Sequence, residues 1–188
     1  AVTHGAHGKA ENDWDFTHIV YDPDPGYVGW DSFVYSLKVG VQSSLGRVNV
    51  LVRPTTVWVD DDYSPLSCGG HEWGVTAFAD LQAGLDGVAD DGSVNVLTGV
   101  YIEDVVTAKP VKIILGSSPG QVTINGSLTL STNTTLEIEL AGTAPGTGFD
   151  QLVVTNIATL AGTVDLKLSD GFYPARDAAF NFLAARSC

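Results

Sequence analysis

The stretch "GQVTINGSLTLSTNTTLEIELAG", Gly120 to Gly142, alternates apolar and polar residues in short runs, with little more than Asn-Gly or a Ser-Thr group between them. The same texture resumes in "FDQLVVTNIATLAGTVDLKLSDGF", Phe149 to Phe172. Even spacing of short strands with small turn residues is the signature of stacked coils, a β-solenoid in which each coil buries its neighbour's apolar face.

Upstream, "SVNVLTGVYIEDVVTA" and "KPVKIILGSS" continue as short strands separated by Gly, Asp-Gly and Lys-Pro. Before them stands the one convincing helix, "TAFADLQAGLDGVA". Phe78, Leu81, Leu85 and Val88 recur at helical spacing, and Thr76 is placed to be the N-cap. Gly84 and Gly87 weaken it, so it relies on packing. Lying across the first coil it would cover the solenoid's open end. A short strand, "TTVWVDDD", leads into this region.

Residues 1–54 differ. "YDPDPGYVGWDSFVYSLKVG", Tyr21 to Gly40, is a strand, a tight turn and another strand, and "GRVNVLVRP" follows. Val48, Val50 and Val52 face one way and Asn49 and Leu51 the other, the period of a sandwich strand. The expected fold is all-β: a partial β-sandwich over 1–54, then a β-solenoid over 55–188, with one capping α-helix near 76–88. The absence of methionine fits a processed product or an excerpt.

The formal charge is −13 and the pI about 4.3. Such a surface repels phosphate backbones and anionic lipids, which argues against nucleic acid and membrane surfaces as partners. No apolar run reaches the roughly 18 residues of a spanning helix, so no membrane insertion is expected.

Three resemblances cover most of the chain. "HGAHGKA" with Tyr21, Pro23, Gly26, Tyr27, Gly29, Asp31, Phe33 and Tyr35 resembles the second half of cadherin-like and immunoglobulin-like tandem repeats of giant bacterial surface proteins. Gly99, Tyr101, Glu103 and Gly116 resemble the opening of right-handed β-helices of the pectate-lyase type. Phe149, Asp150, Leu152, Val154, Leu160 and Gly162 are similar to the passenger repeat of autotransporters. Together they imply a partial immunoglobulin-like β-sandwich over 1–54 followed by a short right-handed parallel β-helix over 55–188, in an extracellular or surface-anchored bacterial protein with a structural or adhesive role. An immunoglobulin-like sandwich needs about seven strands, so its missing half is expected upstream in a longer parent or from a neighbouring copy. The protein's partners would be other copies of itself or flanking domains of the parent chain. An outside location favours a disulfide between Cys68 and Cys188, the two cysteines; an intermolecular bond through Cys188 competes with it.

No catalytic set stands out, and the chain is not expected to be an enzyme. "GSSPG", Gly116 to Gly120, matches a nucleophile elbow, but strand follows where a helix is needed, and no histidine lies downstream of Ser118. His4, His7 and His18, with Asp13 and Asp15, lack the spacing of a zinc site. Asp60, Asp61 and Asp62, and Asp90 with Asp91, are weak calcium candidates without the ligand series of a calcium loop; no other cofactor is expected. Glu137 and Glu139 share one strand face and could pose as a glycosidase pair. Lys109 and Lys112 are the nearby bases for a lyase, which would also need several carboxylates on calcium; a polysaccharide lyase or glycosidase is the remoter alternative function. Trp30 is the carbohydrate-stacking candidate, so a carbohydrate-binding module is the alternative to a structural segment, with glycans as partners. Asn125 and Asn133 head two glycosylation sequons.

Overall fold

The computed structural model describes residues 2–14, 17–116 and 119–187. They form sixteen strands and one short helix, an all-β chain in outline. The chain divides into two compact units, Ala1–Arg53 and Pro54–Cys188.

In the first unit β1 (Gly8–Asn12) pairs antiparallel with β2 (Ile19–Pro23), and β3 (Gly29–Val39) pairs antiparallel with β4 (Gln42–Val52). The β3–β4 hairpin reverses at Gly40, whose φ of 61° is left-handed and open to glycine without steric penalty. Its register sets Asp31 opposite Val50, Phe33 opposite Val48 and Gly29 opposite Val52. Directly opposed residues share a face, so Val48, Val50 and Val52 lie with Phe33, and Asn49 and Leu51 lie behind with Trp30. Phe33 is only 4% exposed, and the ring of Tyr21 stacks on it from β2 with centroids 6.0 Å apart. Leu37 and Val39, farther along the same face, are 61% and 81% exposed.

In the second unit every pairing between named strands is parallel. The elements in order are β5 (Thr56–Val59), β6 (Ala77–Phe78), α1 (Leu81–Gly87), β7 (Ser93–Val96), β8 (Gly99–Tyr101), β9 (Val105–Thr107), β10 (Lys112–Leu115), β11 (Gln121–Ile124), β12 (Leu128–Leu130), β13 (Thr135–Leu140), β14 (Gln151–Leu160), β15 (Thr163–Leu168) and β16 (Leu183–Ser187). One sheet has the order β6-β5-β7-β10-β13-β15; a second runs β8-β11-β14-β16, and β9-β12-β14 a third row, the long β14 serving both. The chain thus visits the same rows in the same sequence again and again.

The alternation in each strand supplies one inward residue per rung position. Val57, Val94, Ile113, Leu136 and Val164 stand in register across five strands. Tyr101, Ile124 and Val154 do the same across three. All but Val164 of these are 3% exposed or less. Each such aliphatic side chain contributes roughly 1.5–3 kcal/mol on burial, so the stack carries its own core.

The helix is shorter than its sequence predicts, and Thr76 is not its N-cap. Ala77 and Phe78 are drawn into pairing with Trp58 and Val59, and the Thr76 hydroxyl accepts the Glu72 N–H at 2.9 Å. α1 packs on β5, β6, β7 and β9 through the buried Leu81 and Leu85. The glycines that look like weaknesses permit this approach: a Cβ on Gly84 would meet Val59 Cγ2 at 2.5 Å, and one on Gly87 would meet the Phe78 ring at 2.6 Å.

Candidate functional site

The acidic residues of the quoted motifs turn out to be fasteners of the backbone. Asp31 is nearly buried. Its carboxylate accepts the N–H groups of Ala6 and His7, each at 3.0 Å, that of Ser32 at 2.7 Å, and the Tyr21 hydroxyl at 2.7 Å. The bond from Tyr21 and then the backbone donors hold Asp31 well below the usual carboxylate range against the opposing effect of desolvation. Burial first, and then the bond to Asp31, pushes Tyr21 up to about 12.

Asp150 does the corresponding work in the second unit. It is 1% exposed and accepts the Gly120 N–H at 2.8 Å and the Glu139 N–H at 2.7 Å. Desolvation raises its pKa against the pull of these two bonds. Glu103 accepts the first two free amides of α1, Leu81 at 2.6 Å and Gln82 at 2.9 Å. Lys109 donates to the carbonyls of Leu85 (3.1 Å) and Val88 at the other end. Both helix ends are therefore closed by charges of the matching sign. The Tyr101 hydroxyl reaches the Val59 and Leu97 carbonyls at 3.1 and 2.9 Å, and burial raises its pKa.

The aspartate clusters have local work too. Asp60 Oδ1 accepts the Asp62 N–H at 3.1 Å, and Asp61 Oδ2 accepts the Val100 N–H at 3.1 Å. Asp91 sits at φ 59°, and Asp90 lies 4.0 Å from the Lys109 ammonium. Among the described residues no group of three or more His, Cys, Asp or Glu side chains is placed to hold a metal. His7 stacks on Tyr27 at 4.2 Å, and His18 contacts the Thr17 hydroxyl at 2.6 Å. Asp15 lies outside the described residues.

On the outer face of β13, Glu137 forms an ion pair with Lys112 at 2.5 Å, a contact not aligned as a hydrogen bond. With Lys109 committed to the helix, the four residues that an acid–base reading joins are not assembled together. A strand, β11, follows the "GSSPG" stretch where a nucleophile elbow would need a helix; Ser117 and Ser118 lie outside the described residues. Cys68 is a free thiol that donates to the His71 carbonyl at 2.8 Å; Cys188 lies outside the described residues. Asn125 is exposed and accepts the Thr155 hydroxyl at 3.0 Å, while Asn133 stands exposed in a turn.

Trp30 is the remaining candidate. Its indole is 68% exposed, and its carbonyl accepts the Tyr27 hydroxyl at 2.6 Å. Ala6, His7, Asp31, Ser32 and Asn49 line a recess beside it. An apolar plate next to a hydroxyl and an amide can stack a sugar ring and hydrogen-bond its rim. The chain matches none of the known protein families, curated proteins or solved structures with which it was compared.

Proposed function

We propose that this chain is a structural segment of a secreted bacterial cell-surface protein, an assembly or stalk unit without catalysis. On this reading the first unit is part of an immunoglobulin-like sandwich, and the second is a short right-handed parallel β-helix whose first coil α1 caps. Neighbouring copies associate by strand exchange at the first unit and extend into a fibre or layer. One observation carries it: the face that buries Phe33 continues into Leu37 and Val39, which stand in solvent. Covering side chains of this size contributes roughly 1.5–3 kcal/mol each, and the hairpin edge supplies unpaired backbone groups for an added strand.

Light scattering across a dilution series tests this. The wild-type chain is expected to associate, and Leu37→Lys with Val39→Lys is expected to weaken that association while each unit stays folded. A wild-type monomer whose β3 and β4 amides resist exchange at the lowest concentration refutes it. The outside location brings the Cys68–Cys188 bond with it, at the expense of the thiol's contact with His71. No cysteine should then alkylate before reduction.

The exposed Trp30 favours a second reading, a carbohydrate-binding module. Glycan binding that vanishes in Trp30→Ala supports it; a blank array removes it.

A further inference from the structure

β15 is the last strand of its sheet, and among the described residues no strand pairs with its outer edge. Val164 and Leu166 stand in register with the buried Leu136 and Ile138 of β13, and Leu168 with Leu140. They continue the core face, yet they are 37%, 50% and 53% exposed. The backbone is open on the same positions. Thr163 N–H donates to Thr134 O at 2.9 Å and Ser169 N–H to Leu140 O at 3.0 Å, so the odd-numbered residues turn their amides toward β13. By alternation Val164, Leu166 and Leu168 turn theirs outward.

We propose that this edge pairs with the β15 of a second copy, antiparallel about a two-fold axis through Leu166. The charges on the outer face choose that partner and that register. In an antiparallel pair, outward-facing amides must oppose outward-facing amides. That condition admits symmetric registers centred on Asp165, Leu166 or Lys167. Centring on Asp165 sets two aspartates face to face, and centring on Lys167 sets two lysines. Centring on Leu166 sets each Asp165 opposite the other copy's Lys167, Leu166 opposite itself, and Val164 opposite Leu168. It pairs Val164 to Leu168, five of the strand's six residues. Asp165 and Lys167 already lie 2.9 Å apart within one chain, so the pair of strands brings four alternating charges together on one side. On the other side six apolar residues join the two cores. The contact is isologous and closes at two copies. It uses no part of the hairpin described above and stands apart from the association proposed there.

At about 0.15 M salt the repulsion between two acidic copies is screened beyond roughly 8 Å, whereas directly opposed side chains sit about 5 Å apart. The test is sedimentation equilibrium at that salt, on the full chain carrying Leu37→Lys and Val39→Lys, which silences the hairpin. In this background a dimer is expected at high micromolar concentration. Asp165→Lys alone, or Lys167→Asp alone, sets like charges opposite each other twice and should weaken the dimer by about tenfold or more. The double exchange Asp165→Lys with Lys167→Asp should restore it to within about threefold. The amides of Val164, Leu166 and Leu168 should exchange slowly in the dimer and fast in the single variants. A monomer at every concentration in this background overturns the pairing and leaves the hairpin reading intact. So does a dimer indifferent to the single charge changes.

Discussion

Asp31 and Asp150 show how one side chain serves opposite ends in two settings. Asp31 gathers four donors, its pKa is depressed, and its ionised form belongs to the folded state. Its contribution is complete above the unfolded carboxylate value, about 4, and is lost as pH falls from there toward the lower folded value. Asp150 is raised by desolvation. Its ionised form is disfavoured in the fold, so its contribution improves as pH falls through the folded value toward the unfolded one. Amide-resolved exchange from neutral pH down to about pH 3 should therefore show the first unit weakening through Asp31 while Asp150 works the other way in the second. Asp31→Asn should flatten the acid response of the first unit. If the variant keeps the wild-type slope, the carboxylate is not the fastener described. The sequence displays these aspartates within repeating motifs, but an acid at a turn looks alike whether water or backbone N–H surrounds it. Only the fold brings Ala6 and His7 to Asp31, or Gly120 to Asp150.

At the scale of elements, the strands were legible and the helix only in part. Alternation such as that of Thr135–Leu140 is a local property, and it foretells a half-buried strand wherever the strand is placed. Helical spacing through Phe78 is local too, but Phe78 is claimed by pairing with Val59, a long-range event. The ends of α1 likewise belong to Glu103 and Lys109, which lie well beyond the helix in sequence. Two substitutions probe this. Alanine is a better helix former than glycine by about 1 kcal/mol, yet Gly84→Ala should lower stability by about 1–3 kcal/mol because its Cβ meets Val59. A rise in melting temperature would mean that the helix stands off from β5. Leu81→Asp places a charge where the leucine is 2% exposed and should cost several kcal/mol, on the order of 3 or more, with aggregation. A soluble variant with an unchanged melting temperature would show that α1 is not packed there.

At the scale of the molecule, the second unit was readable because each rung repeats the demands of the one before it. The first unit was readable only as far as its strands, since which part of an apolar face is covered, as at Phe33, and which is exposed, as at Leu37 and Val39, is not a local property. The candidate plate at Trp30 was visible as an aromatic in a turn, while the self-complementary edge at Thr163–Leu168 was hidden in an ordinary alternating run. Its signal is the placement of Asp165 and Lys167 on either side of a leucine. α1 packs against β5, β6, β7 and β9, whereas among the described residues β15 and β16 are each paired along one edge. The unit has a mechanical direction. Tension applied at the C-terminal side meets β16 and β15, strands held along one edge, and should peel them rung by rung in small steps. Tension applied at Thr56 must first lift β5 from between β6 and β7, under the helix. In an optical trap the second pull should give a single larger rupture at higher force, so that the same protein is a yielding tether from one side and a rigid anchor from the other.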